Sequence, residues 1–239
     1  MKKTKVIIPA LGVLLLSTAA SVTGTVAWFS MNQTVTANNM SVTIKSDAAF
    51  LLIGTGAQDL ATIKNNKSTT AAGNANVPLF PAAHKDTVTT SATAKSASNW
   101  YYKYADLPNA SASTKAENAV TDSTLNLYVS INEFRITVAD GSNVVDNLRV
   151  SSVSISSTVD GAVIDPVRVI VASSNAVEEF PNSATSHTTL ASSVDSSDFV
   201  AVTVLIYWDG NDNAVYTNNI GSLKNTDVVV TFTGDVHNA

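Results

Sequence analysis

Short runs in which β-branched residues alternate with polar ones recur from residue 40 to residue 232, separated by clusters of Ser, Asn, Asp and Gly. A period of two places successive side chains on opposite faces of a strand, so this pattern specifies half-buried β-structure and leaves little room for helix. Met40, Val42 and Ile44 alternate with Ser41, Thr43 and Lys45, and Phe50 to Ile53 gives a second short apolar run. Leu125, Leu127, Val129 and Ile131 share one phase, whereas Phe134, Ile136 and Val138 follow in the opposite phase. A bulge or a sheet-switching bend at Asn132 and Glu133 is the expected cause, and the same slip recurs between Val150 and Val153. Further strands are expected at Val163 to Val171, Phe199 to Tyr207, Val215 and Tyr216, and Val228 to Phe232. No segment past the N-terminus carries a sustained stripe at the helical period. The fold class is therefore all-β, a mostly antiparallel β-sandwich.

Residues 54–123 break this texture, being rich in Ala, Ser, Thr, Asn and Lys and poor in large apolar side chains. Such a stretch has too little hydrophobic surface to pack by itself and reads as a long insertion over the surface of the sandwich. Within it, Trp100, Tyr101, Tyr102 and Tyr104 place four of the chain's sixteen aromatics in five positions. They form either an exposed contact patch for glycan or a neighbouring subunit, or a strand whose rings cover the end of the sandwich.

The N-terminus has the build of an export signal. Lys2, Lys3 and Lys5 precede a mostly apolar stretch from Val6 to Val22, and Thr25-Val26-Ala27 supplies the small residues that a signal peptidase needs. Cleavage is expected between Ala27 and Trp28, giving a signal helix at 1–27 and one domain at 28–239; a retained short anchor is the competing reading. The domain, about 210 residues long, is ample for one large β-domain with a real core.

The absence of Cys excludes a disulfide framework, thiol redox chemistry and Cys-ligated zinc. Removing the three N-terminal lysines leaves 11 basic against 19 acidic residues, so the formal charge moves from -5 to -8. That balance argues against a nucleic-acid partner and favours solubility outside the cell.

Several of these residues carry a family likeness. The segment Gly24-Thr25-Val26-Ala27-Trp28-Phe29, the strand pattern from Val35 to Ile44, and the block Val202 to Gly210 followed by Thr217-Asn218 resemble the TasA/camelysin class of secreted bacterial matrix proteins. The likeness spans the first twenty or so residues past the signal and the last forty or so, with a looser fit through Leu125 to Val171; residues 54–123 match no pattern of the class. It implies export through a dedicated signal peptidase, a jelly-roll sandwich and assembly into extracellular biofilm fibres. Strand-edge physics suggests how such a fibre would form. An N-terminal segment freed by cleavage can add to a neighbour's sheet edge, and repetition of that head-to-tail contact gives an open homopolymer. Here the donor strand would be 28–37, with Trp28, Phe29, Met31 and Val35 as anchors; the alternative is that this segment pairs within its own domain.

Catalysis finds little support. Some relatives of camelysin have been described as metalloproteases, but His84, His187 and His237 are isolated in polar stretches, and no His-Glu-x-x-His, Gly-x-Ser-x-Gly or glycine-rich phosphate loop occurs. Exposed loop positions are the ordinary explanation for such histidines, so the chain is expected not to be an enzyme and to need no cofactor. Asp209, Asn211 and Asn213 have the alternate-oxygen spacing that opens a calcium loop, but the sixth position is Ala214 and the twelfth is Ile220. A hairpin turn with positive φ at Gly210 is the favoured reading. Arg135, Arg149 and Arg168 lie in or beside apolar strands and should face solvent or find a carboxylate such as Glu133 or Asp165. Asn-x-Ser/Thr sequons at Asn32, Asn39, Asn66 and Asn109 arise by chance in a chain so rich in these residues.

Two competitors of the fibre reading lack their signatures: a type IV pilin would be cleaved before its apolar helix, and a sortase-anchored adhesin would end in a sorting motif. The remaining rival is a monomeric secreted or surface-retained module that binds glycan.

Overall fold

The computed structural model describes residues 40–44, 51–74, 79–104, 116–181, 188–215 and 226–237. Among them, thirteen strands form three sheets. The first large sheet has the order β11 (Thr189–Val194), β8 (Val145–Ser157), β13 (Thr226–Val236), β1 (Met40–Ile44), β3 (Thr70–Ala72). The second has the order β10 (Val177–Phe180), β9 (Val167–Ala172), β12 (Val200–Trp208), β7 (Val129–Val138), β2 (Leu51–Thr55). All pairings in both are antiparallel except that of β1 with β13, in which Met40 lies opposite Val228 and Ile44 opposite Phe232.

The two sheets pack face to face over one apolar core. Val145, Leu148, Val150, Val153, Ile155, Val228, Val230 and Phe232 supply it from the first sheet. Leu51, Ile53, Phe134, Ile136, Val138, Val169, Val171, Val202 and Val204 supply it from the second. The phase slip in β8 is a bulge: Thr231 pairs with Ser152 and Phe232 with Val150, which skips Ser151 and keeps valines on both sides of it facing inward. A second irregularity follows, where Thr233 pairs with Arg149 and Asp235 with Asp146, and Asn147 takes a left-handed φ of 53°.

The expected bulge at Asn132 and Glu133 is absent. The strand β7 pairs with β12 in unbroken register from Val129 opposite Tyr207 to Ile136 opposite Val200. The phase changes because the covered face changes. Phe134, Ile136 and Val138 face the inter-sheet core, whereas Val129 and Ile131 join a second apolar cluster on the opposite face of the sheet. Leu125 and Leu127 lie before the strand, in a 3₁₀ turn, with Leu125 buried. Val215, expected in a strand, is buried beyond the turn that follows β12; Tyr216 lies outside the described residues.

That second cluster comes largely from the stretch expected to be a surface insertion. Gly54 and Thr55 finish β2, Thr70 to Ala72 become β3, and a small antiparallel sheet forms from β4 (Ala82–His84), β5 (Trp100–Tyr104) and β6 (Ala116–Ala119). Ala82, Val88, Ala94, Ala97, Trp100 and Val120 cover Ile170, Ala172, Leu205 and Tyr207 of β9 and β12. The segment is thus a third layer on the second sheet. Two short capped helices belong to it. In α1 (Leu60–Asn66), Asp59 accepts from the Thr62 N–H at 2.8 Å and Ile63 is the buried residue. In α2 (Ser91–Ala94), Thr90 and Thr93 form a reciprocal capping box.

Candidate functional site

A subunit that polymerises through strands needs a donor and an open edge. Ala27, Trp28, Phe29, Met31 and Val35 all lie outside the described residues, so the geometry bears on the receiving side. Four strands terminate the two large sheets, and they differ in how they are protected. At one side, Ile53 N–H of β2 donates to the Ser68 carbonyl at 2.9 Å, while β3 is only three residues long. At the other side, β10 carries Glu178 and Glu179, which discourage an incoming strand by charge. The strand β11, Thr-Leu-Ala-Ser-Ser-Val, has six residues and no charge, with Leu190 and Val194 buried and Ser192 and Ser193 exposed. A register shift between Thr189 and Ala191 disturbs it, and the Leu190 carbonyl accepts from the Ser173 hydroxyl at 2.8 Å.

The aromatic run divides by face. Trp100 is 1% exposed, donates its indole N–H to the Ala94 carbonyl at 2.7 Å and meets the Tyr207 ring edge-on at 5.0 Å. Tyr101 lies under the Lys103 ammonium, whose Nζ also reaches Glu117 at 2.5 Å. Tyr102 is half-buried among Phe80, at 6.4 Å, and Tyr128, at 5.4 Å. The side chain of Tyr104 lies outside the described set. The surface aromatic group is therefore Phe80, Tyr102 and Tyr128 beside Leu127, with Phe80 48% and Leu127 43% exposed. Sequence reading missed Phe80 and Tyr128 because they come from different segments, joined by the Phe80 N–H bond to the Leu127 carbonyl.

The acidic turn after β12 is committed to the protein. Asp209 accepts from the Asn211 N–H at 2.9 Å and Asp212 from the Ala214 N–H at 2.8 Å, while the Arg168 guanidinium lies 3.6 Å from both carboxylates. Burial pushes the Asp209 carboxyl upward, opposed by the Asn211 N–H and Arg168. Among the described residues no group of three or more His, Asp or Glu side chains is placed to hold a metal ion. Gly210 has no positive φ; its N–H donates to the Ala82 carbonyl, and a Cβ there would lie 2.6 Å from the Lys103 carbonyl oxygen. The glycine serves close approach to the small sheet.

Two of the arginines find carboxylates as expected, though not the two named: Arg149 pairs with Asp235, and Arg168 lies near Asp209 and Asp212. Arg135 donates to the Gln58 carbonyl and stacks over Phe199 at 4.4 Å, Arg149 grips Asp235 with two bonds of 2.9 and 3.0 Å, and Glu133 is taken by Lys95 at 2.5 Å.

A cleft of about 400 Å³ lies between Thr55, Gly56, Asn74, Lys95, Asn132 and Glu133. Its polar groups are already engaged, with Asn132 Oδ1 accepting from the Asn74 N–H at 2.6 Å.

His84 is neither in a loop nor exposed to the extent expected. It stands on β4, with Nε2 3.2 Å from Glu179 Oε2 and Nδ1 3.0 Å from the Lys85 carbonyl. The other Glu179 oxygen accepts from the Tyr207 hydroxyl. His237 pairs with Asp146 at 2.6 Å and is about half exposed, and His187 lies outside the described residues. Nothing local in the sequence signals the His84 site, because Glu179 is 95 residues away. Compared with protein-family models, curated proteins and solved structures, the chain matches none.

Proposed function

We propose that this chain is a secreted structural subunit that polymerises into an extracellular fibre, the N-terminal segment 28–37 of one copy adding to a sheet edge of the next. The observation that carries this reading is the state of β11: a six-residue, uncharged edge at the end of the larger shared core, longer than β3 and without the glutamates of β10. An uncharged edge strand that offers backbone groups to a neighbour fits the pairing requirement of an added strand. Phe29, Met31 and Val35 would share one face of an extended donor, and head-to-tail repetition would not close into a ring. The reading is tested by following light scattering of the chain beginning at Trp28, beside its Ser193→Lys variant. A lysine on an exposed edge position leaves the fold intact and blocks growth. Equal growth by the variant would remove β11 as the acceptor.

The second reading, a binding module for matrix glycan, is favoured by the group of exposed Phe80 and half-buried Tyr102 and Tyr128. Their rings are inclined to one another by 40° to 69°, which offers ring edges more than a flat stacking platform. This geometry ranks it second.

A further inference from the structure

The His84 site joins two layers. His84 belongs to the small sheet, Glu179 to the edge strand β10, and Tyr207 to the middle of the second large sheet. Both ring nitrogens of His84 face acceptors: a backbone carbonyl at 3.0 Å and a carboxylate oxygen at 3.2 Å. A neutral imidazole has one donor and one acceptor, so either tautomer would turn a lone pair toward an oxygen. Only the imidazolium satisfies both contacts. From this geometry we infer that His84, Glu179 and Tyr207 form a pH-dependent latch that fastens the third layer to the sandwich in the protonated state and loosens it as pH rises.

The surroundings agree. Burial opposes the charge on His84, but the bonds to Glu179 and the Lys85 carbonyl, with the nearby negative charges of Glu179 and Asp209, outweigh it and raise its pKa. Burial likewise opposes the Glu179 carboxylate, yet the bonds from His84 and Tyr207, with Arg168 beyond, bring its pKa down. Burial and the Glu179 charge drive the Tyr207 hydroxyl far upward, so it remains a donor throughout. Nearby, Asp212 is held by Arg168, and the Lys85 ammonium bonds the Ser98 carbonyl at 2.7 Å. The rings of Trp100 and Tyr207 meet His84 edge-on at 5.5 and 5.9 Å and shield it from water.

The signs follow from linkage. A raised histidine pKa contributes stability that is full below the unfolded value near 6.5 and is lost as pH rises through the folded value. A lowered glutamate pKa contributes above the unfolded value near 4.5 and is lost as pH falls through the folded one. The latch is therefore closed between these limits and opens on the alkaline side.

The test is amide hydrogen exchange on the chain beginning at Trp28, with protection factors corrected for intrinsic rates at each pH from 5.5 to 8.5. Protection in β4 and β5 should fall by more than about twofold as His84 deprotonates, while that in β8 and β13 holds. Glu179→Gln should flatten the dependence. Should that variant fold poorly, the ring C–H shifts of the unmodified protein decide, His84 being assigned through His84→Gln. A His84 midpoint above that of a free histidine, about 6.5, supports the latch. A midpoint at or below it, or protection in β4 and β5 that does not change with pH, overturns it. Fibre growth is not a readout here, so the outcome is independent of the polymerisation proposal.

Discussion

The two large sheets share one core and differ in what lies on their other faces. The outer face of the first carries exposed Ser154 and Ser156 along β8, whereas the outer face of the second carries Ile170, Leu205 and Tyr207 under a third layer. The sequences of the strands record the difference. The strand β8 keeps a polar residue at each outward position, while β9, Val-Arg-Val-Ile-Val-Ala, and β12, Val-Ala-Val-Thr-Val-Leu-Ile-Tyr-Trp, are almost continuously apolar. A strand covered on both faces has no need to alternate. The comparison teaches that a stretch poor in apolar residues can still be a structural layer. It suffices that its few large side chains, Trp100 above all, meet an apolar face already provided by the sheet beneath.

The strongest challenge to this comparison is to truncate one core side chain on each face. Phe232→Ala, between the sheets, should cost about 3 to 5 kcal/mol in chemical denaturation. Leu205→Ala, under the third layer, should cost about 2 to 5 kcal/mol, because Leu205 is fully buried there. A loss below about 1 kcal/mol at Leu205 would mean that the layer adds little to the cooperative unit. A smaller effect is expected where the layer is joined to the turn after β12. Gly210→Ala forces a Cβ against the Lys103 backbone and should cost about 1 to 3 kcal/mol, with exchange protection lost first in β4 and β5. The smallest effect is local: Thr90→Ala removes one half of the capping box of α2 and should cost about 1 kcal/mol by the same denaturation assay.

Much of the sandwich could be read from period alone. The strands β7, β8, β12 and β13 fall where alternation or apolar runs place them, and the bulge at Ser151 explains the slip between Val150 and Val153. The reading failed at β7 for an instructive reason. Alternation reports which face is buried, and a change of phase can mean a bulge in the strand or a new neighbour on its other side. Val129 and Ile131 have such a neighbour, and no local signal announces it. The same limit hid the exposed aromatic group and the His84 site. Phe80, Tyr102 and Tyr128 come from three segments, and His84 meets Glu179 only because the small sheet packs on the second large sheet. Long-range pairs of this kind depend on the topology of three sheets, which single-chain periodicity does not encode.

The edges extend the comparison of the two sheets to function. The second sheet ends in glutamates at β10, and the first ends in the uncharged β11. If strand addition is what this protein does, the difference decides where a neighbour attaches, and the proposed donor is the segment 28–37. The most direct measurement is electron microscopy of purified protein beginning at Trp28 beside protein beginning at Asn38, over a range of pH and salt. The account predicts fibres from the first and monomers from the second; monomers from both, or fibres from both, would contradict it.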